Sequence, residues 1–228
     1  MLLMGLQKLT LLDFPEKTAC TVFTGGCNMR CPFCHNTPLV TGTAEERYSE
    51  EEIFSFLKKR QGLLDGVAVT GGEPLLQKDI VEFLSKIKKM GYKVKLDTNG
   101  SYPERLQELV EKGLADYIAM DIKNCKEKYS LTSGTEIDIS VIERSVDIIK
   151  ESGIPHEFRT TVVKELHTKE DISSVASWLG EGENYFLQSF KDSGDILCPG
   201  LSAHDENELI SMAVAAGKYV KHCETRGI

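Results

Sequence analysis

Residues 66–97 read GVAVTGGEPLLQKDIVEFLSKIKKMGYKVKLD. The first five, Gly66-Val67-Ala68-Val69-Thr70, are short and apolar and predict a buried strand. In 78–90, Ile80, Phe83, Leu84 and Ile87 fall at i, i+3, i+4 and i+7, one face of a helix with Val81 at its edge. Gly91 stops that helix and residues 93–97 begin the next strand. This is a βα unit followed by the start of another, and such units in series imply a parallel sheet with helices outside it.

Working outward, the same alternation covers the chain. Residues 18–24 predict the first strand, and 48–59 a helix opened by the capping box Ser49…Glu52. After 93–97 come a helix over 102–112 ended by Gly113, a strand over 117–122, a helix over 140–152 ended by Gly153 and a strand over 156–163. A second capping box, Thr168…Asp171, precedes a helix over 171–179. A strand over 185–189 and a last helix over 206–223 complete the pattern. No linker-like, low-complexity or repeated segment interrupts it, so 1–228 reads as a single domain. Such units build an open doubly wound sheet or curl towards a barrel, and about six of them fall short of the eight of a closed barrel. The expected fold is α/β: a partial (β/α)6 TIM-like barrel open on one side. Functional residues then belong at the C-terminal ends of strands.

Composition narrows the partners. The chain has 228 residues, 41% hydrophobic and 27% charged, with net charge −8. An acidic chain without a concentrated basic run is a poor nucleic-acid binder. No apolar run reaches the ~18 residues of a membrane span. The segment Met1-Leu2-Leu3-Met4-Gly5-Leu6 lacks the basic and long apolar parts of a signal peptide, so a cytoplasmic location is expected.

Seven cysteines include three in the run Gly25-Gly26-Cys27-Asn28-Met29-Arg30-Cys31-Pro32-Phe33-Cys34-His35-Asn36. The spacing is C-x3-C-x2-C, directly after the first predicted strand. Thiolates are soft ligands suited to iron–sulfur clusters and zinc. A structural zinc site wants a fourth ligand. Cys20, Cys125, Cys198 and Cys223 stand alone, and His35 is adjacent to Cys34 and badly placed for the same metal. Three thiolates without a fourth suggest a cluster with one iron left open, and zinc stays as the alternative.

Further polar groups fall in or at the ends of later strands. Thr70-Gly71-Gly72-Glu73-Pro74 offers exposed backbone and a carboxylate. Leu96-Asp97-Thr98-Asn99-Gly100 ends in a turn signal. Asp121 and Lys123 alternate on a strand and so point the same way. Arg159 lies inside a strand, where it needs either a protein carboxylate or a ligand carboxylate as partner.

The cysteine run with its aromatic Phe33, following a first strand, resembles the signature of the radical S-adenosylmethionine superfamily. The order of the later groups, with Asp13-Phe14-Pro15 and Cys34-His35-Asn36, resembles its glycyl-radical-enzyme activating branch, over about 9–190. Residues 11–17 and the chain length are similar to anaerobic ribonucleoside-triphosphate reductase activating proteins. The resemblance implies a [4Fe–4S] cluster on Cys27, Cys31 and Cys34, with S-adenosylmethionine chelating the open iron. Glu73 and the backbone of Gly71 and Gly72 would hold the amino group. Asp97, Asn99, Asp121, Lys123 and Arg159 would touch ribose or carboxylate, Phe33 would lie near the adenine, and Gln188 would stand where related activases have a histidine. Asp13 would sit where a substrate glycine loop comes in. Reductive cleavage would yield methionine and a 5′-deoxyadenosyl radical that takes hydrogen from a glycine of a partner enzyme. The implied partners are a glycyl radical enzyme, such as anaerobic ribonucleotide reductase, and an external electron donor. The alternative is a radical enzyme acting on a small nucleoside-like molecule. No extra cysteines lie between 36 and 48, so a ferredoxin-like insert is not expected.

Overall fold

The computed structural model describes residues 1–41, 47–192, 194 and 196–228. Eight strands form one sheet in chain order: β1 Leu3–Thr10, β2 Ala19–Thr24, β3 Gly66–Gly71, β4 Lys93–Thr98, β5 Tyr117–Asp121, β6 His156–Val162, β7 Asn184–Ser189 and β8 His222–Arg226. β1 runs antiparallel to β2, and every later neighbour is parallel. β1 and β8 are the two edges, so the sheet is open, as expected for a partial barrel.

The helices among the described residues are α1 Thr37–Thr41, α2 Glu50–Arg60, α3 Ile80–Lys89, α4 Pro103–Glu111, α5 Tyr129–Ser133, α6 Ile139–Glu151, α7 Lys169–Leu179 and α8 Glu206–Ala216. Both predicted capping boxes form. Ser49 and Glu52 exchange backbone-to-side-chain bonds at 2.8 and 3.2 Å, and Thr168 and Asp171 do the same. The predicted stripe of α3, with Ile80, Phe83, Leu84 and Ile87, is wholly buried.

Strand alternation divides the sheet into two chemistries. Val67, Val69, Val94, Leu96, Ile118, Phe158, Tyr185 and Leu187 are fully buried in one apolar core with the helices. The opposite face carries Lys95, Asp97, Tyr117, Asp121, Glu157 and Arg159, joined side chain to side chain across β4, β5 and β6.

Two elements differ from the sequence expectation. The last helix, expected over 206–223, stops at Ala216 and the chain turns into β8. Pairing with β7 decides that: Asn184 to Gln188 align with His222 to Arg226. β1 was not foreseen either, because Leu3–Thr10 contains Gly5 and few β-branched residues. The sheet therefore has eight strands where about six were expected.

Candidate active site

β2 ends at Thr24, and Gly25-Gly26 lead into the cysteine loop. Backbone bonds fix the loop: Gly26 N–H donates to the Leu39 carbonyl at 2.8 Å and Cys34 N–H to the Cys31 carbonyl at 3.0 Å. The Arg30 guanidinium donates to the Cys27 and Met29 carbonyls at 2.7 and 2.8 Å. The end of β3 presses directly on this loop. Gly72 N–H donates to the Thr24 carbonyl at 2.9 Å and Glu73 N–H to the Gly26 carbonyl at 2.8 Å. A Cβ at Gly72 would stand 1.9 Å from the Gly26 oxygen, so this approach admits glycine alone.

The three thiols of the loop are unbridged. Cys27 Sγ is approached by the Met29 N–H at 3.4 Å and the Asn99 amide at 3.7 Å, donors that favour a thiolate. Burial pushes the Cys27 thiol up and the Cys31 thiol up to about 11. Both hold their protons at neutral pH until a metal displaces them. Among the described residues no three His, Cys, Asp or Glu side chains close on a single metal ion. The thiols stand instead around a cavity of about 180 Å³.

That cavity brings together Cys27, Cys31, Phe33, Cys34, Gly71, Gly72, Asp97, Asn99, Asp121, Lys123 and Arg159. These come from the ends of β2 to β6, where the βα pattern puts functional groups. Phe33 is 5% exposed and meets His167 edge to face at 6.5 Å.

The charged wall is already paired. Arg159 donates to Asp121 Oδ1 at 2.9–3.0 Å and reaches Asp97 Oδ2 at 3.4 Å. Lys123 donates to Asp121 Oδ2 at 3.2 Å, and Lys95 bonds Asp97. Burial works against the Asp121 carboxylate, but Arg159 and Lys123 outweigh it and hold the group at about 2. Burial likewise opposes the Lys123 ammonium, and Asp121 with the Cys31 and Cys27 sulfurs raises it regardless. Of the two partners the sequence left open for Arg159, the protein's own carboxylates are the ones seen.

Three expected site residues stand outside the cavity. Glu73 is fully buried behind it. Its carboxylate accepts from Leu75 N–H at 3.0 Å, Thr98 Oγ1 at 2.9 Å and Asn99 N–H at 2.7 Å. Burial outweighs those three bonds and pushes Glu73 up to about 7. Glu73 thus holds the β4 end in place from behind. Gln188 sits on β7 between Thr161 and Arg226, and of these three only Thr161 lines the cavity. Asp13 lies at the other end of the sheet. β1 runs antiparallel to β2, so the residues after it return to the N-terminal ends of the strands. There Asp13 Oδ2 accepts from Thr21 Oγ1 at 2.5 Å, while Phe14 packs on Tyr117 and against Gly66.

The cavity also includes residues not expected as ligands: Met29, His35, Asn36, Thr70, Thr98 and Thr161. Asn36 donates to the Gly71 carbonyl at 3.3 Å, and His35 stacks on Phe190 at 5.6 Å. The signal for the threonines was position alone, since each is in or next to a strand end.

Comparison with known proteins places the chain in a family. Residues 21–179 match the radical SAM superfamily profile. The chain is 34% identical over its full length to a protein of Methanocaldococcus jannaschii named as a glycyl-radical enzyme activating enzyme, covering 96% of it. It is 35% identical over 54% of its length to the pyruvate formate-lyase-activating enzyme of Listeria monocytogenes, of which it spans about half (53%). The Streptococcus suis SuiB structure bound to S-adenosylmethionine superposes with a TM-score of 0.69 at 15% identity, over 88% of this chain and 48% of that one, which shows the fold alone.

The chain belongs to the radical S-adenosylmethionine superfamily. Within it, the chain is an enzyme of the activating type, with a [4Fe–4S] cluster and S-adenosylmethionine as its cofactors. The donor set suits such a cluster: soft, unbridged thiols from one loop, beside a cavity lined by both charges.

Proposed function

We propose that Cys27, Cys31 and Cys34 ligate three irons of the cluster and that S-adenosylmethionine occupies the adjoining cavity. The observation that carries this reading is the convergence of one cysteine loop and four further strand ends on one cavity. When bound, the cluster supplies the electron that cleaves S-adenosylmethionine to methionine and a 5′-deoxyadenosyl radical. The chain's own residues bind and orient. The Gly71-Gly72 backbone faces the amino group, and Glu73 holds that turn and Asn99 in place from behind. Lys123 and Arg159 are the cations for a ligand carboxylate, and Asp97 and Asp121 accept from hydroxyl or ammonium groups. The Asp121 pairs keep this wall ordered before any ligand arrives, so little reorganisation is needed on binding. Phe33 offers the adenine an apolar face.

The substrate we assign is a glycine in a partner glycyl radical enzyme, with anaerobic ribonucleotide reductase as the partner. The full-length likeness to an activating enzyme supports the first part. Similarity of residues 11–17 to activating proteins of that reductase supports the second. We take 1–228 to work as one radical SAM unit in the cytoplasm, reduced by an external donor. Among the described residues no helix is long and apolar enough to cross a membrane. The test is anaerobic incubation of reduced, S-adenosylmethionine-loaded protein with candidate partners, reading the glycyl radical by EPR. A radical on the reductase supports the assignment. A radical on another glycyl enzyme alone would move the partner, and none on any would reject the activase reading.

A further inference from the structure

The cysteine loop and the end of β4 meet through three small polar side chains. Asn99, just past β4, is 4% exposed and lines the cavity. Its Oδ1 accepts from the Ser101 N–H at 3.0 Å and lies 2.5 Å from Ser101 Oγ. A backbone N–H can only donate, so that contact fixes which end of the amide is oxygen. Nδ2 therefore points the other way, to Asn28 Oδ1 at 3.1 Å and to Cys27 Sγ at 3.7 Å. Ser101 Oγ also lies 3.1 Å from Asn28 Oδ1, which closes a ring of three side chains. Glu73 holds the Asn99 N–H from behind at 2.7 Å. Asn28 stands inside C-x3-C next to Cys27, and its carbonyl accepts from Thr135 Oγ1 at 3.4 Å.

The Asn99 amide is thus fully used. Nδ2 has two hydrogens, one for Asn28 and one for Cys27, while Oδ1 faces both Ser101 donors. Nothing on this side chain is left for a ribose hydroxyl or a ligand carboxylate. The sulfur it meets has one further donor, the Met29 N–H at 3.4 Å. That donor belongs to the backbone and stays whatever side chain stands at 29. Asn99 is the donor that the sequence can vary. An iron-bound thiolate is a charged acceptor, and a donor already aimed at it needs no rearrangement to serve it.

We propose that Asn99 serves the cluster and not S-adenosylmethionine: its amide, aimed by Ser101 and Asn28, donates to the Cys27 sulfur and raises the cluster's reduction potential. This rests on Cys27 being a cluster ligand, as proposed above. Reduction adds one negative charge, which a hydrogen bond to sulfur offsets, so the reduced state gains more from the bond. Asn99 is a positioning residue that acts through Cys27 and does not touch the substrate.

Wild type needs no substitution for the first test. Protein labelled with nitrogen-15 at the asparagine side-chain amides, with its cluster rebuilt and reduced anaerobically and no S-adenosylmethionine added, is expected to show a weak nitrogen-15 coupling in pulsed EPR. No coupling overturns the proposal, and so does a coupling that survives in Asn99→Leu. In an EPR-monitored redox titration, Asn99→Leu is expected to lie about tenfold further towards the oxidised cluster at fixed potential, equivalent to about 59 mV downward. Its affinity for S-adenosylmethionine, measured by equilibrium dialysis, is expected to stay close to wild type. An unchanged midpoint at equal iron content overturns the proposal, and so does a marked loss of affinity, which would make Asn99 a cofactor contact. Wild type that takes up no cluster would overturn the assignment of Cys27 itself, and its iron content tells the two failures apart.

Discussion

The β2–β3 end of the site and the β4–β6 end are built on opposite electrostatic plans. At the first, a fully buried Glu73 accepts hydrogen bonds only from neutral donors, and Cys27 Sγ is met by the Met29 N–H and the Asn99 amide. At the second, Lys95, Asp97, Arg159, Asp121 and Lys123 alternate in sign across three strands. Two carboxylates record the difference, Glu73 fully buried and Asp121 half-buried. Glu73 is pushed up to about 7 and Asp121 held at about 2. Burial penalises both charges, but only Asp121 is hydrogen-bonded to cations, Lys123 and Arg159. The neutral end suits groups that become charged on taking up metal. The ionic end is a wall whose geometry is set in advance.

The largest effect tests the neutral end. Replacing Cys27, Cys31 or Cys34 by Ala is expected to reduce iron uptake from about four per chain to near none, measured after anaerobic reconstitution. Cys125→Ala is expected to leave it unchanged, because that thiol is 5% exposed beside Asp171 and away from the cavity. Full cluster in any one of the three loop variants would break the contrast between the ends.

At the ionic end, Arg159→Met removes the cation shared by Asp121 and Asp97. Asp121 keeps Lys123 and Asp97 keeps Lys95, but losing the charged hydrogen bonds of Arg159 is expected to cost about 3 kcal/mol in denaturant unfolding of the iron-free protein. A cost near zero would mean that this wall is solvated and not preset.

A smaller effect, about 2 kcal/mol, is expected for Glu73→Ala, which strands three donors. The loss should show in stability as well as in S-adenosylmethionine binding, and binding alone would put Glu73 back in the cavity. The pH dependence sharpens this. Between 4.5 and about 7 the unfolded chain has released the Glu73 proton while the folded chain keeps it. Stability contributed by this group therefore falls as pH rises through that window. Glu73→Gln is expected to lack that decline, read as a difference in unfolding free energy against wild type. Parallel pH curves would contradict the raised value.

What the sequence could reveal follows the same division. The cysteine loop stood out because its three cysteines sit within eight residues and need no tertiary contact to be noticed. The helices were legible wherever an apolar stripe such as Ile80, Phe83, Leu84 and Ile87 met a glycine stop. β8 was not, because His222–Arg226 becomes a strand only through its pairing with β7. The protein partners of Glu73 were not legible, because Thr98 and Asn99 reach it from β4 and its end. The contact of Asp13 with Thr21 depends on β1 running antiparallel to β2, which no local signal announced.

The central claim is that this cavity generates a radical that takes hydrogen from a partner's glycine. It is tested most directly by following that hydrogen. The reduced enzyme, with S-adenosylmethionine and a partner carrying α-deuterated glycine, is expected to yield 5′-deoxyadenosine containing deuterium. Cleavage should accelerate when the partner is added, since closing an open site couples cleavage to transfer. Deuterium arriving from a labelled small nucleoside, with no response to any glycyl enzyme, would contradict the account.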